Sequence, residues 1–489
     1  MDFSKIGRMF IGGKWVSSNN TREIINPSNG KVFAKVYEGS PQDVKLSVKA
    51  AKEAFAQWSA ASVTYRADML FKIADLIEKN SRELAEIDTL NNGKPLRDSL
   101  GDVADSVSCF RYYAGLIDKP LGQVYNVADP NTQSIVVREP IGVCGQITPW
   151  NYPLMMASWK LAPCLAAGNV SVFKPSELTP LSAIRLFEIF EEAGLPAGVA
   201  NLAMGAGNTV GREISENLEI DKVAFTGGTV TGRNIMRSAA ENMKNISLEL
   251  GGKSPCIVFD DYDLDTAIDW ALFAIFCNQG EVCSAGSRLI LQDTIYDKFL
   301  DALAKRAAAI KIADGMQEGA EMGPLVSKEH LDKVLSYIET GKKEGARLVC
   351  GGFRITEGSF ADGFFVAPTV FADCKPDMKI VQDEIFGPVL AVQKFHTQQE
   401  AIDLANNTKY GLAAGVFSND ITRALKVIKA VRAGITWVNS YHPTFAQAPW
   451  GGFKQSGIGR ELGTFGLDEY TEVKQININL APGKVGWFA

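Results

Sequence analysis

The chain has 489 residues, of which 46% are hydrophobic and 22% charged, with a formal net charge of −6. That length exceeds what one hydrophobic core serves, so two or three domains are expected. The acidic balance and the lack of a Lys/Arg run exclude a stripe for nucleic acid, and the longest apolar run, near "WALFAIFC", is too short to span a bilayer.

The opening segment, "MDFSKIGRMFIGGKW", carries no apolar h-region and no small-residue cleavage site. It reads as no signal peptide, and a cytoplasmic location is expected. After a short strand-like opening the N-terminal third reads as helical. Val44, Val48, Ala51, Phe55 and Trp58 fall three or four apart on one helix face. A second amphipathic run is predicted from Met69 to Leu90, ending in the turn "NNGKP". The strand "TQSIVVREP" then stands alone.

From Gly142 the rhythm changes. "GVCGQI", "VSVF", "VANLAM", "KVAF" and "ISLEL" are short apolar or β-branched runs separated by helix-like segments such as "LSAIRLFEIFEEAG". This alternation predicts βαβ units and a parallel sheet covered on both faces. Residues 142–250 therefore read as the second part of a doubly wound nucleotide-binding domain. A second α/β region runs from "SPCIVFDD" to about residue 465, and "TEVKQININL" ends the chain as another lone strand. Lone strands need partners. These two are expected to pair with each other and to extend into another subunit.

Four turns in the predicted sheet carry chemistry. "ITPWNYP" lies at the carboxyl end of a strand, where open α/β sheets bind ligands. Its Asn151 offers an amide for a developing oxyanion, or an Asx turn before a helix with Pro153 in its first turn. "FKPSE" brings Lys174 and Glu177 to a βα loop, a cation for phosphate and an acid for ribose hydroxyls. "GAGNTVG" is a glycine-rich turn, and "FTGGTVTG" opens a helix whose amides suit a pyrophosphate.

The eight cysteines are Cys109, Cys144, Cys164, Cys256, Cys277, Cys283, Cys350 and Cys374, and none forms a CxxC pair. Most read as buried, inert thiols, and no metal site is expected. Cys277 ends an apolar run and keeps that reading. Cys283 is open to two: a structural thiol, or a nucleophile around which small residues let the backbone pack closely. With His330, His396 and His442 the only histidines, a histidine triad is poorly supplied. Glu249, at a strand end before Gly251 and Gly252, is an alternative base if desolvated, or an ordinary solvent-facing glutamate.

The motifs "TPWNYP", "FKPSE", "FTGG", "LELGGKSP", "GEVCSAGSR", "EIFGPV" and "PWGGFKQSGIGRELG" resemble, in order and over essentially the whole chain, the aldehyde dehydrogenase superfamily. The fold that this implies is α/β: a doubly wound NAD-binding domain at 1–117 and 141–251, an α/β catalytic domain at 252–467, and a small β oligomerisation element at 118–140 and 468–489. The resemblance makes Cys283 the nucleophile and Glu249 the base, with Asn151 and the Cys283 N–H as oxyanion donors and Lys160 and Glu461 in proton relay. It makes Ile147, Thr148, Pro149, Trp150, Lys174, Ser176, Glu177, Gly207, Gly211, Phe225, Thr226, Gly227, Gly228, Leu250, Gly251, Glu384 and Phe386 cofactor contacts. It also implies a homodimer or homotetramer acting on a small aldehyde, which passes through a thiohemiacetal and a thioester to the carboxylic acid.

Tyr152, Trp159 and Trp450 stand where the betaine aldehyde dehydrogenase subfamily places an aromatic box, and "AQAPWGG" resembles that subfamily in particular. Aromatic faces attract quaternary ammonium, so betaine aldehyde is the expected substrate, with ω-aminoaldehydes or aliphatic aldehydes as alternatives. One departure is Cys277, six residues before Cys283, where some members carry tryptophan. Glu177 repels a 2′-phosphate, which favours NAD⁺ and leaves NADP⁺ open. Two other classes remain: a cysteine hydrolase using Cys283 and Glu249 without a nucleotide, and a non-catalytic scaffold on the same fold.

Overall fold

The computed structural model describes residues 2–119 and 122–488. Pro120 and Leu121 of the expected oligomerisation element, and the terminal Met1 and Ala489, lie outside the described residues.

The first sheet has eight strands. Its centre is the buried strand Val143–Ile147, flanked in parallel by Val170–Lys174 on one side and Lys222–Thr226 on the other. The chain first winds outward through Val170–Lys174 to Ala200–Leu202, then returns to lay down Lys222–Thr226 and Asn245–Glu249 on the opposite side. Between Val143–Ile147 and Lys222–Thr226 the winding therefore reverses, and a crevice opens at the carboxyl ends of the strands. The helix Pro153–Ala167 packs against this centre with apolar residues on every side, so it is buried throughout. Proline at its first turn fixes the start, and left-handed Gly168 ends it.

A second sheet, of seven strands, centres on Pro255–Val258, Arg288–Gln292 and Ala413–Phe417 in parallel register. The two sheets are stitched where Gly457–Ile458 pairs antiparallel with Leu248 and Glu249 of the first. The two lone strands do pair with each other: Thr471–Asn479 runs antiparallel to Thr132–Pro140 from Thr471↔Pro140 to Asn479↔Thr132, with Gln123–Tyr125 beyond. Val473, Ile476, Ile478 and Leu480 remain exposed along this three-stranded sheet.

The amphipathic run expected over Met69–Leu90 is two helices, Val63–Lys79 and Ser81–Asn92, broken at Asn80. The Asn80 amide turns back onto the Leu76 carbonyl, an Asn preference for capping that the apolar periodicity hides. Among the described residues, no helix is long and apolar enough to cross a membrane.

Arg288 ties the second sheet to the crevice. Fully buried, it donates to the carbonyls of Lys253, Leu404 and Ala405, each at 2.8 Å, capping the helix Gln398–Asn406 and fixing the turn after Glu249. Lysine cannot serve three diverging carbonyls. Arg288→Lys is expected to cost about 2–4 kcal/mol and to lower the thermal unfolding midpoint by several degrees; an unchanged midpoint in a melting curve would contradict this role.

Candidate active site

The crevice continues into a cavity of about 420 Å³ between the two sheets. Its wall gathers Pro149, Trp150, Asn151, Tyr152, Trp159, Thr226, Gly227, Gly228, Glu249, Leu250, Gly251, Cys283, Glu384, Phe386, Trp450 and Glu461. Residues from seven separated stretches of sequence thus face one space.

Cys283 is half-buried and unbridged, in the loop before strand Arg288–Gln292. Burial raises its pKa, the charges of Glu249 and Glu384 push the same way, and the N–H groups of Ser284 and Cys283 oppose them. The resting thiol is neutral, so acting as a nucleophile requires a base. Glu249 ends the strand Asn245–Glu249, and neither of its buried carboxyl oxygens has a hydrogen-bond partner. Burial, and then the charge of Glu461, raise its pKa well above the usual carboxylate range. Its backbone is clamped by the pairing with Gly457, by Leu250 N–H donating to Ser456 O at 2.8 Å, and by Ser456 Oγ donating to Gly251 O at 2.7 Å.

Lys160 lies behind the wall. As the one charge on its apolar helix it needs a counter-charge, and its ammonium pairs with Glu461 Oε1. Glu461 Oε2 stays buried and unpartnered. Glu461 and Trp450 exchange both backbone hydrogen bonds, at 2.6 and 2.7 Å, so the buried acid and the aromatic wall share one anchor. Asn151 is buried, and its Nδ2 donates to the Glu281 carbonyl at 2.9 Å, leaving one amide hydrogen uncommitted.

The residues expected to touch a cofactor fall into two groups and a remainder. Beside the cavity, the helix Thr229–Ala239 begins at Gly228 with no side-chain cap, and Thr148, Thr226 and Thr229 hold buried hydroxyl oxygens without partners. A Cβ at Gly228 would meet nothing, whereas one at Gly227 would strike the Phe225 ring at 2.6 Å. Glu384 Oε1 accepts from Gly252 N–H at 3.0 Å, and Phe386 holds a left-handed φ of 64°. The second group lies past the ends of the next two strands, Val170–Lys174 and Ala200–Leu202. Glu177 accepts from Gly207 N–H at 3.4 Å and from Lys174 Nζ at 3.3 Å, while Ser176 shares a small cleft with Gly205 and Glu177. Burial works against the Glu177 carboxylate, but Lys174 and the Gly207 N–H hold it below its ordinary pKa, so it is charged. An uncapped helix start, unpartnered hydroxyls and a charged acid fit the pyrophosphate and diol of a dinucleotide. Ile147, Phe225 and Gly211 do not line the cavity. The first two are buried strand residues, and Gly211 packs on the Lys174 stem.

Toward the other end the wall is aromatic. Trp159 and Trp450 meet edge to face at 5.5 Å, with Trp437 6.3 Å behind Trp450. Phe273, Met155, Met156, His442 and Thr444 complete this end. Cys277, expected to be an ordinary buried thiol, is half-buried and forms part of the wall, because the chain turns sharply after helix Leu264–Phe276. Tyr152 has one face taken: Lys94 Nζ lies 3.8 Å from its ring centroid and 2.6 Å from Asp102.

Sequence reasoning missed Asp102 and Asp105, one turn apart on helix Leu96–Leu116, which also face the cavity. Burial and the neighbouring Asp102 push Asp105 up to about 6. His330 and Lys333 on helix Lys328–Lys343 line the cavity and were missed too, as was Glu281, fully buried behind it. An i, i+3 acid pair on a helix face was the one signal for the first, and it reads equally as a solvated surface.

The family model described as "Aldehyde dehydrogenase family" matches residues 15–476. A betaine aldehyde dehydrogenase of Bacillus subtilis (strain 168) is 52% identical over 484 residues, 98% of this chain and 99% of the relative. A peroxisomal aminoaldehyde dehydrogenase 2 of Pisum sativum is 45% identical over 491 residues, covering 98% and 97%. The crystal structure of a betaine aldehyde dehydrogenase from Staphylococcus aureus in complex with NAD⁺ superposes with a TM-score of 0.98 at 48% identity, covering 100% of this chain and 98% of that one.

Because Cys277 and Cys283 border the cavity while Cys109, Cys144, Cys164, Cys256 and Cys374 are buried, limiting iodoacetamide is expected to label the first two before any of the five. Peptide mass mapping that found a buried thiol labelled first would contradict the cavity.

Proposed function

The chain belongs to the aldehyde dehydrogenase family, and from that premise we propose that it oxidises betaine aldehyde to glycine betaine with NAD⁺. The observation that carries the substrate is the cavity itself: a tryptophan-rich end beside Cys283, with Asp105 at its border and Asp102 already paired with Lys94. Aromatic faces and a nearby carboxylate together favour a quaternary ammonium over a neutral chain, by about 0.5–2 kcal/mol for each engaged ring. The same features suit a protonated ω-aminoaldehyde, which makes that class the second reading.

Asn151 and the Cys283 N–H receive the oxygen that becomes negative when the thiolate adds to the carbonyl. The proton released by the thiol passes to Glu249, and Glu461 with Lys160 gives that proton a path away from the cavity. A dinucleotide held here would supply the two-electron acceptor needed to carry the adduct to a thioester on Cys283. Pro149, Trp150, Thr226, Gly227, Gly228, Leu250, Gly251, Glu384 and Phe386 would hold its nicotinamide half, and Lys174, Ser176, Glu177 and Gly207 its adenosine half. Glu249 then takes a proton from water, and the resulting hydroxide releases the acid from Cys283. Charged Glu177 disfavours a 2′-phosphate, so NAD⁺ is preferred to NADP⁺. The exposed sheet of Thr132–Pro140 and Thr471–Asn479 would be covered by a second copy, giving a dimer or tetramer. The expected location is cytoplasmic.

Growth of absorbance at 340 nm with betaine aldehyde and NAD⁺ is expected, and Cys283→Ala should abolish it while nucleotide binding persists. Trp450→Ala is expected to raise KM for betaine aldehyde roughly tenfold while changing KM for propanal far less; equal effects would point to a generic apolar pocket. Glu249 must ionise to act, and burial raises its pKa, so kcat should climb with pH over a range above that of an ordinary carboxylate. Glu249→Gln should flatten that limb, and an unaltered profile would remove Glu249 from the mechanism.

A further inference from the structure

The loop before Cys283 is strained. Asn278, Gln279 and Gly280 have φ of 47°, 55° and 72°, three left-handed residues in succession. Asn and Gly tolerate this region, but Gln279 does not, so the surrounding structure must over-determine the path there. A Cβ at Gly280 would collide with the Gly387 carbonyl. The residue that follows, Glu281, has a completely buried side chain.

That side chain reaches across to another part of the chain. Its Oε1 accepts from the Val326 N–H at 3.0 Å, just before the helix Lys328–Lys343, and Oε2 lies 3.3 Å from Gln279 Nε2. His330, in the first turn of that helix, places Nε2 3.6 Å from Glu281 Oε1 and 2.6 Å from the carbonyl of Phe386. Trp150 packs edge to face between His330 and Phe386, at 4.9 and 5.1 Å. The Glu281 main-chain carbonyl accepts from Asn151 Nδ2, and Asn278 Nδ2 bridges the carbonyls of Asn151 and Glu281 at 3.2 and 3.3 Å.

We propose that Glu281 is a positioning residue, whose buried side chain holds the loop of Cys283 and the Asn151 amide in register with the segment carrying Val326 and His330. The carboxyl acts as a neutral hydrogen-bonding group. Burial raises its pKa well above the carboxylate range, and burial lowers His330 to about 4, so their contact joins two neutral groups rather than an ion pair. Gln279 Oε1 is buried without a partner. With its amide turned end for end, that oxygen accepts the proton of the Glu281 carboxyl. A glutamine at 281 reproduces each of these bonds; an alanine reproduces none.

The role rests on the family reaction but is testable apart from the cofactor, because hydrolysis of p-nitrophenyl acetate also passes through an oxyanion at the acylated thiol. Glu281→Ala is expected to lower kcat roughly 10- to 100-fold, with aldehyde KM within about threefold, and to slow ester hydrolysis without nucleotide by a similar factor. Glu281→Gln is expected to stay within about threefold of the parent in both assays. Full activity in the alanine variant overturns the proposal, and so does a glutamine variant as slow as alanine. If the alanine variant does not fold, the glutamine variant decides: a loss beyond tenfold refutes the neutral anchor, and near-parent rates uphold it. A parent that hydrolyses the ester but reduces no NAD⁺ would sink the functional reading while the ester rates still score Glu281.

Discussion

A buried carboxyl with no partner is costly, and Glu249 is one, held by a short antiparallel pairing between Leu248–Glu249 of the first sheet and Gly457–Ile458 returning from the second. That pairing brings the two sheets together at the strand end that carries Glu249. It keeps the acid out of water and leaves its oxygens facing the cavity that contains Cys283. Such a desolvated acid costs stability and gains basicity, and the Lys160–Glu461 pair sets how much charge the neighbourhood tolerates.

The rest of the cavity follows from where that seam falls. On one side the crevice at the reversal of strand order supplies uncapped amides and hydroxyls. On the other, Trp450 is tied by two main-chain hydrogen bonds to Glu461, so the aromatic wall and the buried acid share one backbone anchor. The neutral thiol couples the two sides. Cys283 stays protonated against Glu249 and Glu384, which restrains an otherwise reactive sulfur when no substrate is present.

Much of this was legible in the chain. The parallel sheet showed in the alternation of β-branched runs with helical segments, and the pairing of the two lone strands followed from their having no other partner. Cys283, Glu249 and Asn151, which line one cavity, were singled out by small neighbours, by a following glycine pair and by a place just past a strand end, respectively. Other features left no local trace. Glu281 owes its burial to Val326, 45 positions away in sequence, and no periodicity reports a contact of that separation. Asp102 and Asp105 sit on an amphipathic helix where acids ordinarily face solvent. Cys277 entered the cavity because the chain turns left-handed just beyond it, and the break at Asn80 was masked by apolar spacing that continues across it.

The most direct test of the central claim is mass spectrometry of Glu249→Gln protein quenched soon after mixing with betaine aldehyde and NAD⁺. Buffer base can still take the thiol proton, more slowly than Glu249, while the thioester lacks its water activator, so an acyl adduct should build up on the peptide carrying Cys283 and be absent when either reagent is omitted. Acid product formed at an undiminished rate with Cys283 unmodified throughout would contradict a thioester at this sulfur.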